Sequence, residues 1–159
     1  MKTRWKFLNL ENNKIKSANG DCTWKLKEWK HEDKLDMCNH GFHCSKKIYE
    51  AFDYVQGEIL AKVEVKGKFE SQDDKEVYTD MRLLKTYKWQ KKDSVALSIY
   101  AAELCLKNYE KVYPNDKRPR EAIEAAKKWL KNPTPENESA AESAAWSAAE
   151  SAVIKKIDI

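Results

Sequence analysis

Apolar residues recur at every second position through much of the first half of the chain, and at every third or fourth position through the second half. Residues 2–10 place Trp5 and Phe7, with Leu10 beyond them, among polar neighbours, which predicts a first strand. The polar stretch 12–21 ends in Asn19-Gly20-Asp21, a turn signal. Residues 22–29 alternate again, with Cys22, Trp24 and Leu26 on one face, and 30–39 read as a charged loop. Ser45 then precedes Ile48, Ala51, Phe52 and Val55, whose spacing predicts a capped amphipathic helix over 46–55, ended by Gly57. Residues 58–66 form the clearest strand, with Ile59, Ala61, Val63 and Val65 on one face and Gly67 closing it. After a charged turn at 71–75, residues 77–89 predict one or two further strands.

From Asp93 or Ser94 the period becomes helical. Val95, Ile99, Ala102, Leu106 and Tyr109 form a stripe that Leu97, Ala101, Leu104 and Cys105 widen, which predicts a central, largely buried helix reaching about Tyr113. Pro114 stops it. Pro119 opens a second helix to Lys131, with Ala122, Ile123, Ala126, Trp129 and Leu130 inward, and Asn132-Pro133 ends that one. Thr134-Pro135-Glu136 starts a third. This third helix carries a four-residue Ser-Ala-Ala repeat from Ser139, with Trp146 as its large anchor before Val153 and Ile154. Small side chains allow close approach, either to the other two helices or to another subunit through residues 135–153. The predicted fold is α+β: a small N-terminal antiparallel sheet with one helix (1–92), packed on a C-terminal three-helix bundle (93–159), the two making one compact domain.

Charge changes this picture little. The net charge is +4, with 20 basic against 15 acidic residues up to Lys92 and 10 against 11 after it. The excess is interleaved with acids, unlike the basic stripe of a nucleic-acid binder. No segment has the ~20 apolar residues of a membrane helix. The start, Met1-Lys2-Thr3-Arg4-Trp5, has no signal-peptide core, so a bacterial cytoplasmic setting with reduced cysteines is expected.

Four groups of residues could carry chemistry. Cys22, Cys38, His40 and Cys44 are of the types zinc prefers, but the Cys38 to Cys44 gap is longer than that of a metal knuckle, and a buried thiol serves equally as a small hydrophobe. His43 with Glu64 or Glu76 could transfer protons, yet no phosphate loop, nucleophile elbow or two-histidine helix motif accompanies them. Arg118 and Arg120 at a helix start could hold an anion, or simply pair with neighbouring carboxylates and lock the turn. Trp24, Lys27 and Trp29 could stack and neutralise a nucleotide, or guard a strand edge.

Gly41-Phe42-His43-Cys44, the helix ending at Ala51 to Tyr54, Val63-Glu64-Val65-Lys66-Gly67 and Asp74-Lys75-Glu76-Val77 together resemble a domain recurrent in phage and prophage proteins, over about residues 36–92. Ala101-Ala102-Glu103, Tyr109-Glu110, Tyr113-Pro114, the run from Asp116 to Ala126 and the Ser/Ala repeat resemble the helical module of bacterial immunity proteins, over about 94–152. Neither family supplies a catalytic residue to carry over. The Gly-Phe-His strand before a helix also resembles ADP-ribosyltransferase-like folds, without their Arg or His start and catalytic Glu pair. These resemblances imply a phage or prophage accessory protein that binds and neutralises a host defence protein or nucleotide signal without catalysis or cofactor. A small nucleotide-acting enzyme and a zinc-stabilised interaction module are the alternatives.

Overall fold

Two adjacent asparagines make the first turn of the sheet. Strand β1 (Lys2–Glu11) folds back onto β2 (Lys14–Lys16), with Glu11 opposite Lys14. Asn12 and Asn13 between them adopt φ values of 47° and 60°, the left-handed pair a two-residue hairpin requires and asparagine tolerates. The sequence reading placed all of 12–21 in a polar connection; that turn chemistry is what recovers a strand from it. The computed structural model describes residues 1–54 and 57–157, the side chains of 150–157 excepted. It divides into two units, Met1–Trp89 and Gln90–Ile159. The fold is α+β, with antiparallel strands in the first unit and three helices in the second.

The long hairpin β6 (Ile59–Ser71) and β7 (Lys75–Lys88) is the main ladder of the first unit. Gly67 does not end β6. It sits in a register shift between Lys66 and Phe69 at φ 81°, and a second shift lies between Lys62 and Val63. Bulges bend and twist a ladder, so its two edges can be bridged by other strands. β1 pairs with β6 from Lys2 to Leu8. β5 (Phe42–Ser45) pairs with the start of β7, and it meets β1 at the single pair Trp5–Ser45. The four strands therefore close into a ring, β1-β6-β7-β5. Short β3 (Thr23–Trp24) extends the sheet beyond β2, and β4 (Lys30–His31) lies on β7.

The ring packs Leu8, Ile59, Ala61, Val63, Val65, Tyr78, Met81 and Leu83 with Trp24 and Cys44. Each fully buried Leu, Val or Met side chain contributes about 1.5–3 kcal/mol. The opposite face of β1 gives Phe7 to a second cluster with Leu60 and Ala51, joined by Trp5, Phe52 and Trp89. Phe7, Phe52 and Trp89 meet edge to face at centroid distances of 5.0 to 5.9 Å.

Several local expectations are corrected. The strand expected over 22–29 shrinks to Thr23–Trp24, because Lys27 takes φ 65° to send its N–H to the Leu83 carbonyl at 2.8 Å. The loop expected over 30–39 gives up Lys30–His31 to β4, where they pair with Met81 and Asp80. The helix expected over 46–55 is a 3-10 helix, Tyr49–Asp53, which follows Ile48 without a side-chain cap, so Ser45 does not cap it. Ser45 is held in β5, and Ile48 is exposed, not inward. Val55 of that expected helix lies outside the described residues.

In the second unit, α1 (Lys91–Val112), α2 (Arg118–Lys131) and α3 (Pro135–Ile157) follow the proline punctuation. The cap of α1 comes earlier than expected: Gln90 and Asp93 form a reciprocal capping box. α1 is not largely buried. Of its apolar residues Ile99 alone is buried, while Leu97, Tyr100 and Leu104 are exposed. α2 buries Ile123 and Trp129. On α3, Trp146 is 76% exposed rather than an inward anchor, and the side chains of Val153 and Ile154 lie outside the described part. Among the described residues no helix is long and apolar enough to cross a membrane.

Replacing Gly67 by Ala tests the bend. A Cβ there collides with Thr79 Oγ1 and Asp80 Oδ2 at a backbone angle that L residues rarely adopt. The variant is expected to lose about 1–3 kcal/mol, read as a lower urea midpoint at unchanged m-value.

Candidate functional site

The ring is weakest where β1 and β5 share the single pair Trp5–Ser45. Beyond that pair the two strands diverge, and the gap opens as a cleft of about 500 Å³. Lys6 and Phe7 of β1 and Phe42, His43 and Cys44 of β5 line it, together with the 17–22 and 38–41 loops, Tyr54 and Lys75. Its volume is that of an ordinary small-ligand site.

Lys6 is its unusual member. The sequence pattern read Trp5 and Phe7 as the buried face of β1, and so put Arg4 and Lys6 in solvent. In the structure Arg4, Lys6 and Leu8 pair with Val63, Ala61 and Ile59, all core residues. Leu8 is fully buried, and it shares the parity of the two cations. That shared parity is the one sequence signal that could have placed Lys6 inside.

The two inward cations are treated differently. Arg4 Nε donates to Glu76 Oε2, which also accepts from the Tyr78 hydroxyl at 2.9 Å. Burial works to raise the Glu76 pKa, but the bonds from Arg4 and Tyr78 outweigh it and hold the carboxyl below its usual range. Lys6 has no such partner: among the described residues no carboxylate or hydrogen-bond acceptor meets its Nζ, which lies 5.2 Å from the centroid of the Trp24 ring. Burial lowers its pKa. The nearby thiols do not act as counter-ions. Burial pushes Cys44 up to about 12 and raises Cys22, so both stay protonated at neutral pH.

The 36–43 loop forms the rim. Asp36 and His40 exchange backbone hydrogen bonds at 3.0 and 2.9 Å, closing a tight turn with Cys38 at φ 74°. The Cys38 N–H donates to His43 Nε2 at 2.8 Å, which leaves the ring proton on Nδ1. Burial, then Lys6 and Lys75, lower the His43 pKa, so the ring is neutral. Its free lone pair is thus occupied by the loop amide. Lys75 Nζ donates to Cys38 Sγ at 3.1 Å.

The other expected site residues are dispersed. Glu64 is paired with Arg82 at 2.5 Å and Glu76 with Arg4, so neither joins His43. Cys22, Cys38, His40 and Cys44 line the cleft, but among the described residues no three His, Cys, Asp or Glu groups converge to hold a metal. Trp24 is buried with its Nε1 donating to Ser17 Oγ at 2.9 Å, Lys27 is exposed in a turn, and Trp29 lies beneath Lys66 and Arg82. They form no common platform. Arg118 makes two bonds to Asp116 at 2.9 and 3.0 Å, and Arg120 makes two to Glu110 at 2.7 Å. Both guanidinium groups therefore lock helix ends.

Two predictions follow from these charges. Lys6→Met removes an unmatched, half-buried charge at nearly constant shape, and should raise stability on the order of 1 kcal/mol at neutral pH. Between the folded pKa of Lys6 and 10.5 the unfolded chain binds more protons, so wild-type stability rises with pH there. The gap to the variant should narrow over that window in parallel urea melts. In an NMR titration, His31, bonded to Asp33 and Asp80 at 3.0 Å each, should titrate above 6.5 and His43 below it. The His31 contribution to stability is complete below pH 6.5 and lost as pH rises through its folded pKa; that of His43 has the opposite sign.

Comparison with curated proteins and with solved structures gives no match. A family model described as a domain of unknown function, DUF7666, matches residues 8–93, more than half of the chain. That span holds every lining residue of the cleft except Trp5, Lys6 and Phe7. The chain belongs to the DUF7666 family.

Proposed function

We propose that this chain is a non-enzymatic binding protein that takes a small anionic molecule of the nucleotide class into the cleft between β1 and β5. As a phage or prophage accessory protein in the bacterial cytoplasm, it withdraws that molecule from a host defence response. The observation that carries the binding part is Lys6, a cation turned toward the ring interior with no carboxylate partner among the described residues. An unmatched ammonium in a low-dielectric site is costly, and an anion arriving from solution offsets that cost. Aromatic side chains along the walls, Trp5, Phe42 and Tyr54, supply stacking surface for a base.

Binding rather than catalysis is supported by the surrounding groups. His43 spends its lone pair on the Cys38 amide, and Glu64 and Glu76 are held by arginines. The phage setting rests on the two sequence resemblances. The exposed Leu97, Tyr100 and Leu104 of α1 and Trp146 of α3 favour a second contact, in which the helical unit meets another protein surface or a second copy through residues 135–153.

Native mass spectrometry of the purified chain, alone and after incubation with a bacterial nucleotide extract, tests both parts. The expected result is a bound mass of nucleotide size, absent from Lys6→Met, and a multiple of the chain mass for the helical contact. An unliganded spectrum in the presence of the extract sinks the cleft reading. A purely monomeric spectrum removes the second copy as partner.

A further inference from the structure

We infer that the cleft selects a ligand carrying one phosphate group beside a planar base, a nucleoside monophosphate, and discriminates against di- and triphosphates. This deepens the nucleotide-binding reading above and rests on it. The argument is a count of the charges that face the cleft.

A phosphate monoester brings a charge of about −1.5 to −2 and three strong acceptor oxygens. Lys6 is the cation of the floor, and its Nζ has no acceptor among the described residues. Lys75 is the cation of the rim, and its Nζ is already directed at Cys38 Sγ. His43 is neutral, and both lining thiols near Lys6 stay protonated. Among the described residues no arginine lines the cleft. Lys46, next in sequence to Ser45, is turned away to the carbonyls of Gln72 and Asp73 at 3.1 and 3.5 Å. Glu32, which also lines the cleft, repels additional anionic groups. The site thus matches one phosphate. A second or third would be desolvated beside Glu32 without cations to meet it, and an unpaired charge in such surroundings is heavily penalised.

The backbone points the same way. Sites for polyphosphates use consecutive N–H groups of a glycine-rich loop leading into a helix N-terminus. Here the helix nearest the cleft is five residues of 3-10 helix. The Cys38 N–H on the rim is committed to His43. What the walls offer instead is aromatic surface from Trp5, Phe42 and Tyr54 and the amide of Asn19, which has no partner among the described residues. Such walls suit a base and its edge rather than a phosphate chain.

Isothermal titration of the full chain with inorganic phosphate, adenosine, AMP, ADP and ATP at fixed ionic strength tests the count. AMP is expected to bind at least about tenfold more tightly than ATP, a difference of about 1.4 kcal/mol, and more tightly than phosphate or adenosine alone. Lys6→Met, confirmed folded by its melting curve, is expected to weaken AMP at least about tenfold while leaving adenosine unchanged. ATP binding as tightly as AMP overturns the single-phosphate selection and leaves the cleft reading standing. Phosphate alone binding as tightly as AMP overturns the role of the aromatic walls. No binding of any probe removes the nucleotide reading itself, and this inference with it.

Discussion

Everything in the first unit depends on the bend of the β6–β7 ladder. β1 lies on one edge of that ladder and β5 on the other. A flat hairpin would hold them apart, and neither could pair with the other. The register shifts at Lys62/Val63 and Lys66/Phe69, the second admitting Gly67 at positive φ, twist the ladder until its edges meet at Trp5 and Ser45. Closure creates an interior, and because it is made by one residue pair it also leaves an opening. The core and the cleft are consequences of the same bend.

That interior then sorts its charges. Arg4 and Lys6 are two residues apart on one strand and face the same side, yet Arg4 has the Glu76–Tyr78 pair and Lys6 has a tryptophan ring and two protonated thiols. Stability alone favours an apolar residue at position 6, opposite Ala61. A lysine there meets no acceptor among the described residues, which is the feature that the anion-binding role proposed for the cleft draws on. Conflict between local stability and a polar group without a partner is a frequent mark of binding sites.

The helical unit shows a different tension. α1 has apolar residues around much of its circumference, and the structure covers the Val95–Ile99–Leu106–Tyr109 side while leaving Leu97, Tyr100 and Leu104 in solvent. α2 is the best ordered by pattern, with Ile123 and Trp129 inward and charged residues outward. The Ser/Ala repeat of α3 gives close approach to α2 but little apolar area per residue. Cross-links such as Lys91 to Glu138 and Lys127 to Glu103 supplement this packing from the surface, where each adds little.

Local sequence determined the elements whose cause is local. The alternation of Ile59, Ala61, Val63 and Val65 specified a strand because a pleat repeats every two residues. Pro114, Pro119, Pro133 and Pro135 set the helix boundaries because proline lacks an N–H and fixes φ. Tertiary structure decided what depends on distant neighbours. It continued β6 through Gly67, reduced the expected 46–55 helix to one 3-10 stretch, and dispersed His43, Glu64 and Glu76 among separate partners. Above all it turned Arg4 and Lys6 inward. A period of two says that a strand has two faces, but which face meets a core is settled only when strands tens of residues apart close the ring.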